Sequence, residues 1–261
     1  MAARAEPWDL LVSGWHLGEA IDAFPAPAGT LALAGPEHDG EELDALAGRY
    51  REVGDAVARA ARPLVLAGDC LTSLGIVAGL QRRHRDVSVI WLDAHGDFNT
   101  PAISVSGYLA GMSLALLTGR GPAPLYERIG LRPVTDERVV LIDARDLDPA
   151  EQDLLKASRV QRVAAEPDAI RRALAELAPH DVYLHVDVDM IDGEDVPGLR
   201  WRTSPGPSFD VAEACLAQIA AVAPPVATCI ACPWTPERIG DEPARGAIAR
   251  LAAVIGAELR W

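Results

Sequence analysis

The stretch that decides the fold is Val87-Ser-Val-Ile-Trp-Leu-Asp-Ala-His-Gly-Asp97. Its first half is apolar and rich in β-branched residues, which predicts a buried strand over Val87–Asp93. Its second half places Asp93, His95 and Asp97 two residues apart. Because side chains spaced by two in an extended chain point the same way, we expect these three to converge at the carboxyl end of the strand.

Similar apolar runs recur along the chain, separated by longer stretches rich in alanine, leucine and arginine. The predicted strands are Leu10–Ser13, Leu64–Ala67, Val87–Asp93, Val139–Ile142, Val182–Asp187 and Val226–Ala231. The predicted helices are Glu41–Ala61, Leu74–His84, Gly107–Leu117, Ala169–Leu177, Val211–Val222 and Glu242–Leu259. Nearly continuous apolar strands that alternate with helices are typical of a parallel sheet covered on both faces. We therefore predict an α/β fold, a three-layer α/β/α sandwich with a mostly parallel central sheet, formed by residues 1–261 as a single domain.

The composition excludes several classes of function. The 261 residues are 49% hydrophobic and 24% charged, and their net charge of −14 would repel phosphate backbones and anionic lipids. We therefore expect no nucleic-acid partner and no membrane partner. The apolar runs have the length of strands, and the four cysteines follow no spacing typical of secreted proteins, so we expect a cytoplasmic location.

Polar clusters follow four of the predicted strands. In an open parallel sheet, functional groups collect beyond the carboxyl ends of the strands, so we expect these clusters to share one edge. The clusters are Gly68-Asp69-Cys70, Asp93-Ala-His95-Gly-Asp97, Arg145-Asp146-Leu-Asp148 and Asp187-Val-Asp189-Met-Ile-Asp192.

Two of these clusters bring together the carboxylates of Asp93, Asp97, Asp187 and Asp189. Such a group could not stay ionised without positive charge between its members, and a divalent metal supplies that charge. Oxygen ligands with one imidazole, that of His95, suit manganese better than a structural zinc. Shared carboxylates would hold two ions about 3.5–4 Å apart that activate water. The alternative, in which each aspartate only caps a helix or orders a loop, would require costly burial of both clusters without a cation.

These motifs resemble those of the arginase (ureohydrolase) family. Trp91–Pro101 is similar to the family's Asp-Ala-His-x-Asp signature with its following Asn-Thr-Pro, and His185–Asp192 is similar to its Asp-x-Asp-x-x-Asp signature. Ala67–Leu71 resembles the upstream Gly-Gly-Asp-His-Ser motif, and Ser106–Gly111 and Arg145–Pro149 also align. The resemblance implies an arginase-like fold and a binuclear manganese hydrolase that cleaves C–N bonds of guanidino or amidino compounds. It also implies a homo-oligomer, either a trimer or a hexamer.

The resemblance assigns roles to individual residues. Asn99 and Ser106 match positions that hold the carboxylate of the small-molecule substrate, and Asp148 matches one near its amino group. Asp97 and Asp189 are expected to serve catalysis as well as to bind metal. The implied metal ligands are Cys70, Asp93, His95, Asp97, Asp187 and Asp189.

The chain departs from the family pattern at three positions. Cys70 replaces a histidine ligand, so that the site could hold one manganese ion rather than two, or favour zinc or iron; a buried cysteine that binds nothing is the alternative. Ala110 replaces a histidine that shuttles protons and cannot do so itself. Ile230 replaces a glutamate that pairs with the guanidinium group, and Glu237, nearby in sequence, could substitute for it.

The amino-acid end of the implied site is therefore kept while its reacting end is changed. We interpret this as a metal-dependent amidinohydrolase-type enzyme with an altered substrate, such as the N-hydroxyguanidine N-ω-hydroxyarginine, or a formimino or ureido amino acid. A second interpretation uses the same metals for a different C–N or amide cleavage. A third is a catalytically degenerate family member that binds a small amino-acid ligand or regulates an active paralogue.

Other signals are weaker. The Cys229–Cys232 spacing favours structural cysteines over a zinc or redox pair. Trp201 and Trp234 are expected either at the wall of the pocket or a subunit contact, or in the core. The isolated histidines are expected at the surface, and they are His16, His38, His84 and His180.

Overall fold

The computed structural model of the protein describes residues 7–17, 19–33, 42–83, 85–231 and 233–261. The strands are β1 (Asp9–Ser13), β2 (Trp15–His16), β3 (Glu19–Ala20), β4 (Leu31–Ala32), β5 (Pro63–Ala67), β6 (Ser88–His95), β7 (Val139–Asp146), β8 (Gln161–Val163), β9 (Val182–Asp187) and β10 (Ala227–Ala231). The α-helices are α1 (Glu42–Arg59), α2 (Thr72–Arg82), α3 (Ser113–Leu117), α4 (Ala123–Ile129), α5 (Pro149–Ala157), α6 (Pro167–Leu177), α7 (Phe209–Val222) and α8 (Glu242–Val254). Short 3₁₀ turns are formed by Leu109–Met112, Asp136–Arg138 and Val188–Met190.

Within the described ranges, eight strands form one sheet in the order β4-β1-β5-β10-β9-β6-β7-β8. Every neighbouring pair in this sheet is parallel, as the apolar strands predicted. The two short strands β2 and β3 form a separate antiparallel hairpin. The last strand in the chain, β10, lies between β5 and β9 in the middle of the sheet.

Side chains of the central strands alternate between two hydrophobic clusters, one on each face of the sheet. Val65 and Ala67 pack with α1 to α5 on one face. Leu64 and Leu66, from the same strand, pack with α6, α7 and α8 on the other. The prediction of a three-layer α/β/α sandwich is therefore confirmed.

The structure also contains elements that the apolar pattern did not predict, among them α4 and α5. Each is a short helix with proline in its first turn, where the missing N–H group is not needed. The predicted helix Glu242–Leu259 ends at Val254, because Gly256 adopts a left-handed conformation with φ of 80°. In the part of the chain that the structure describes, every helix is too short or too polar to cross a bilayer. Four residues discussed above lie outside the described residues, namely His38, Glu41, His84 and Cys232.

The close packing of α1 against α2 depends on glycine. A Cβ atom added at Gly75 would lie 2.4 Å from the carbonyl oxygen of Tyr50. We therefore expect Gly75→Ala to push the helices apart and to lower the free energy of unfolding by about 1–3 kcal/mol. Gly246→Ala in α8 is the control, because a Cβ there meets nothing within 4 Å and should stabilise the helix by up to about 1 kcal/mol. Urea unfolding measures both changes, and equal stability of the two variants would contradict the packing argument.

Candidate metal centre

The polar clusters meet at the carboxyl edge of the sheet, around a cavity of about 320 Å³. The hairpin of β2 and β3 and the segment after β6 contribute to its wall. The side chains expected to bind metal or the ends of the substrate all line this cavity, and they are Cys70, Asp93, His95, Asp97, Asn99, Ser106, Asp148, Asp187 and Asp189.

The end of β6 is shaped by an irregularity in its pairing. The register against β7 shifts between Asp93 and His95, so the strand bulges where its polar side chains begin. Both carboxylate oxygens of Asp93 accept hydrogen bonds. Oδ2 accepts one from Trp91 Nε1 at 3.1 Å, and Oδ1 accepts one from the His95 backbone N–H at 2.8 Å. Asp97, just beyond, has a left-handed backbone with φ of 49°.

The end of β9 supplies the second pair of carboxylates. Asp187 Oδ1 accepts the backbone N–H of Asp189 at 2.9 Å, and its Oδ2 accepts a hydrogen bond from the thiol of Cys70 at 3.0 Å. Asp189 Oδ2 lies 3.0 Å from His95 Nδ1. Arg145 donates to the backbone carbonyl oxygens of Asp189 at 3.3 Å and Met190 at 3.0 Å, which fixes the turn after β9.

The described side chains form two groups that could hold a metal ion, with Asp93 in both. Within each group, the candidate ligand atoms lie within 4.8 Å of one another. Asp97 belongs to neither group, although it is buried and its Oδ2 has no hydrogen-bond partner among the described residues. The first group is Cys70, Asp93, His185 and Asp187, and the second is Asp93, His95 and Asp189.

The electrostatics of these groups favour a bound cation. Burial, together with the charges of Asp189 and Asp93, raises the pKa of Asp187 well above its usual range. Burial and the neighbouring aspartates likewise raise the pKa of the Cys70 thiol. Burial disfavours the charged form of His95, but its hydrogen bonds to Asp189 and Asp93 outweigh this and raise its pKa to about 12. Carboxylate oxygens, imidazole and thiolate are all good metal ligands, and a bound divalent ion favours the thiolate form, so the residues present fit such an ion.

The same cavity is lined by further polar side chains, among them Asn99, Ser106 and Asp148. Asn99 Nδ2 donates to Asp148 Oδ2 at 3.2 Å. Asp148 also begins α5, where it and Glu151 form a reciprocal capping box that fixes its position. Glu151 in turn accepts the backbone N–H of Phe98 at 2.8 Å, and Ser106 stands exposed at the rim.

Ala110 lines the cavity, at the position where the family pattern has its histidine. Ala231 of β10 also lines the cavity, whereas Ile230 packs in the hydrophobic cluster on the other face of the sheet. Glu237 is an exposed residue, and the described residues around the cavity do not include it. The expectation that Glu237 could take the place of the missing glutamate therefore receives no structural support.

Aromatic side chains form the outer part of the cavity. Tyr108 packs against Trp201 with 5.3 Å between ring centroids and a tilt of 53°, and Trp201 is 46% exposed. Trp234, by contrast, is buried in the core and donates to the Pro197 carbonyl oxygen at 3.2 Å. Cys229 is a buried free thiol, as expected of a structural cysteine.

Two histidines at the site were not predicted. His16 was expected at the surface, but it is half-buried and lines the cavity, with Nε2 3.2 Å from the Tyr108 hydroxyl oxygen and Nδ1 3.1 Å from the Gly68 carbonyl oxygen. His185 is fully buried in β9 and belongs to the first group of ligands. The period of two in a strand could have indicated His185, because it shares a face with Asp187.

Comparison with known proteins identifies the family. The sequence profile described as the Arginase family matches residues 26–228. The chain belongs to the arginase family. It is similar to the arginase of Staphylococcus aureus strain COL, with 33% identity over 169 residues that cover 61% of this chain and 56% of that protein. It is also similar to the arginase of Brevibacillus brevis, with 38% identity over 167 residues, or 60% of this chain and 56% of that protein.

The matched regions therefore cover little more than half the length of these curated relatives. The whole fold is shared with the crystal structure of the arginase from Bacillus caldovelox, at a TM-score of 0.82. That comparison has 23% sequence identity and covers 97% of this chain and 99% of the other. The family membership inferred from the motifs is therefore confirmed.

The two groups of ligands predict that divalent cations stabilise the protein. At a free concentration a hundredfold above Kd, we expect manganese, zinc or iron(II) to raise Tm by about 5–10 °C, because the cation binds only the folded chain. Asp93→Asn should abolish most of this shift, since Asp93 belongs to both groups. Asp146→Asn, which changes an exposed carboxylate on the same cavity, should keep it.

Differential scanning fluorimetry measures the shift, and metal analysis after desalting gives the number of ions per chain. The absence of any shift in the wild type with all three cations, with no ion retained, would contradict the metal centre.

Proposed function

We propose that the protein is a metal-dependent hydrolase that cleaves a C–N bond in a guanidino or amidino derivative of an amino acid. The observation that carries the proposal is a single cavity whose lining includes members of both groups of candidate metal ligands together with Asn99, Ser106 and Asp148. The family membership supports the same reaction class.

The proposed metal ligands are the side chains that line the base of the cavity. When bound there, divalent ions polarise the group to be cleaved and lower the pKa of water. Asp97 and Asp189 are proposed to be close enough to the reacting atoms to accept or hold a proton. The proposed ligands are Cys70, Asp93, His95, Asp97, Asp187 and Asp189.

The amino-acid end of the substrate is proposed to bind to Asn99, Ser106 and Asp148. The amide N–H of Asn99 and the hydroxyl of Ser106 are donors suited to a carboxylate, and the Asp148 carboxylate suits an ammonium group. Because Asp148 is fixed by its capping box, this end of the cavity can orient the substrate with little rearrangement.

The reacting end indicates an unusual substrate. A guanidinium ion is planar and charged, and it is best held by a carboxylate that accepts two parallel hydrogen bonds. In this chain Ala110 and Ala231 line the cavity, and Ile230 is packed in the core. An N-hydroxyguanidine is less basic than a guanidine and can enter as a neutral molecule, which needs no such partner. We therefore favour N-ω-hydroxyarginine over arginine, with formimino and ureido amino acids as further members of the same class.

A catalytically inactive binding protein is the alternative function. It requires the chain to keep its buried carboxylates without using their cations for chemistry, and the proposal does not favour it. As further parts of the proposal, residues 1–261 form one domain, and the protein works in the cytoplasm as a trimer or hexamer.

A substrate panel tests the proposed chemistry. We expect the metal-loaded protein to hydrolyse N-ω-hydroxyarginine with a kcat/KM at least tenfold above that for arginine, because Ile230, packed on the other face of the sheet, replaces the glutamate that pairs with the guanidinium in the family pattern. Release of ornithine, measured by chromatography, reports both reactions. Faster turnover of arginine would reject the hydroxyguanidine assignment, and binding without turnover across guanidino, formimino and ureido acids would favour the binding protein.

A rim variant tests the orientation of the substrate. Ser106→Ala should raise KM for the amino acid by about threefold to tenfold, because one hydrogen bond to the carboxylate is lost. The same variant should leave KM unchanged for the decarboxylated analogue, which has no carboxylate at this end. Equal effects on the two substrates, measured by steady-state kinetics, would place the carboxylate elsewhere.

A further inference from the structure

His185 is a buried histidine with one ring nitrogen unused by the protein. It is 0% exposed, and its Nδ1 lies 3.0 Å from the hydroxyl oxygen of Ser73. Its Nε2 has no hydrogen-bond partner among the residues that the structure describes. A polar atom enclosed in this way is costly, so its retention calls for a partner that the described residues do not supply.

The sheet places His185 beside the other candidate ligands. Tyr183, His185 and Asp187 alternate along β9 and share one face. His185 is paired in register with Trp91 of β6, and the two rings stack with 3.6 Å between centroids at an angle of 15°. A ligand nitrogen of His185 and the ligand atoms of Cys70, Asp93 and Asp187 all lie within 4.8 Å of one another.

The hydrogen bonds behind the ring are compatible with a free lone pair at Nε2. Tyr183 donates its hydroxyl proton to Ser73 Oγ at 2.7 Å. That oxygen can accept a second hydrogen bond, from His185 Nδ1–H, which leaves Nε2 unprotonated. A neutral imidazole whose far nitrogen donates to a fixed oxygen is the usual arrangement of a metal ligand.

We infer that His185 is a metal ligand and that it forms, with Cys70, Asp93 and Asp187, one complete cation site. This inference rests on the proposed metal centre. His185 thereby supplies the imidazole that the family pattern has at position 70, from a different strand. The set of one sulfur, one nitrogen and two carboxylate ligands is softer than that of Asp93, His95 and Asp189. We therefore expect zinc, cobalt or iron(II) to bind the His185 site more tightly than manganese does.

Cobalt(II) titration tests the assignment without any substrate. In the wild type we expect a thiolate-to-cobalt charge-transfer band, which reports cobalt bound to Cys70. His185→Phe keeps a flat ring against Trp91 but has no ligand atom, so it should weaken the binding that produces this band by at least tenfold. His16→Phe, a histidine on the same cavity outside both groups, should leave it unchanged.

The outcomes separate the inference from the function on which it rests. Unchanged cobalt affinity and an unchanged spectrum in His185→Phe would overturn the role of His185 alone, and so would cobalt binding to the wild type without the thiolate band. Failure of the wild type to bind cobalt, zinc or manganese would reject the metal centre and the proposed hydrolase with it.

A measurement on the wild type makes the test independent of whether the variant folds. In protein labelled with ¹⁵N-histidine and loaded with ¹¹³Cd, we expect cadmium couplings at the ring nitrogens of two histidines, His95 and His185. A coupling at His95 alone would overturn the inference.

Discussion

Asp93, Asp97, Asp187 and Asp189 are each 5% exposed or less, so the protein must balance their negative charges internally. His95 lies between Asp93 and Asp189, and its raised pKa is the response of a base enclosed by carboxylates. One imidazolium cannot neutralise four carboxylates. The geometry of the cavity, the two groups of ligands and the proposed chemistry all follow from the need for further positive charge at this point.

The surrounding backbone holds these charges in place. Hydrogen bonds from Trp91 and from the backbone fix both oxygens of Asp93, and Asp187 accepts from Asp189 and from the Cys70 thiol. Arg145 binds the carbonyl oxygens of the turn after β9, so a cation from a third strand secures the second pair of aspartates. The carboxylates are therefore preorganised, and a metal ion would meet ligands that need little further ordering.

The sequence predicted the sheet and the carboxylates because both depend on short-range patterns. Asp93, His95 and Asp97 could be placed at one edge from the apolar strand that precedes them, and the apolar runs indicated parallel pairing. The strict period of two does not hold across them, because the strand bulges between Asp93 and His95 and Asp97 has a left-handed backbone. His16 depends instead on long-range contacts, since it meets Gly68 across 52 residues and Tyr108 across 92. No local pattern reports such contacts. The position of Ile230 could not be judged either, since the family pattern gives an aligned residue but not the face of the sheet on which it packs.

The place of β10 in the sheet has a consequence for the order of folding. This strand is the last of the sheet to be synthesised, yet it separates β5 from β9 and pairs with both. The segments that carry Cys70 and Asp187 therefore cannot reach their final separation before residues 227–231 have been made. Parallel pairing between strands that are far apart in sequence forms slowly. The two halves of the sheet can therefore join only after the central strand β10 is present. The proposed cation site therefore cannot be completed before β10 has been synthesised.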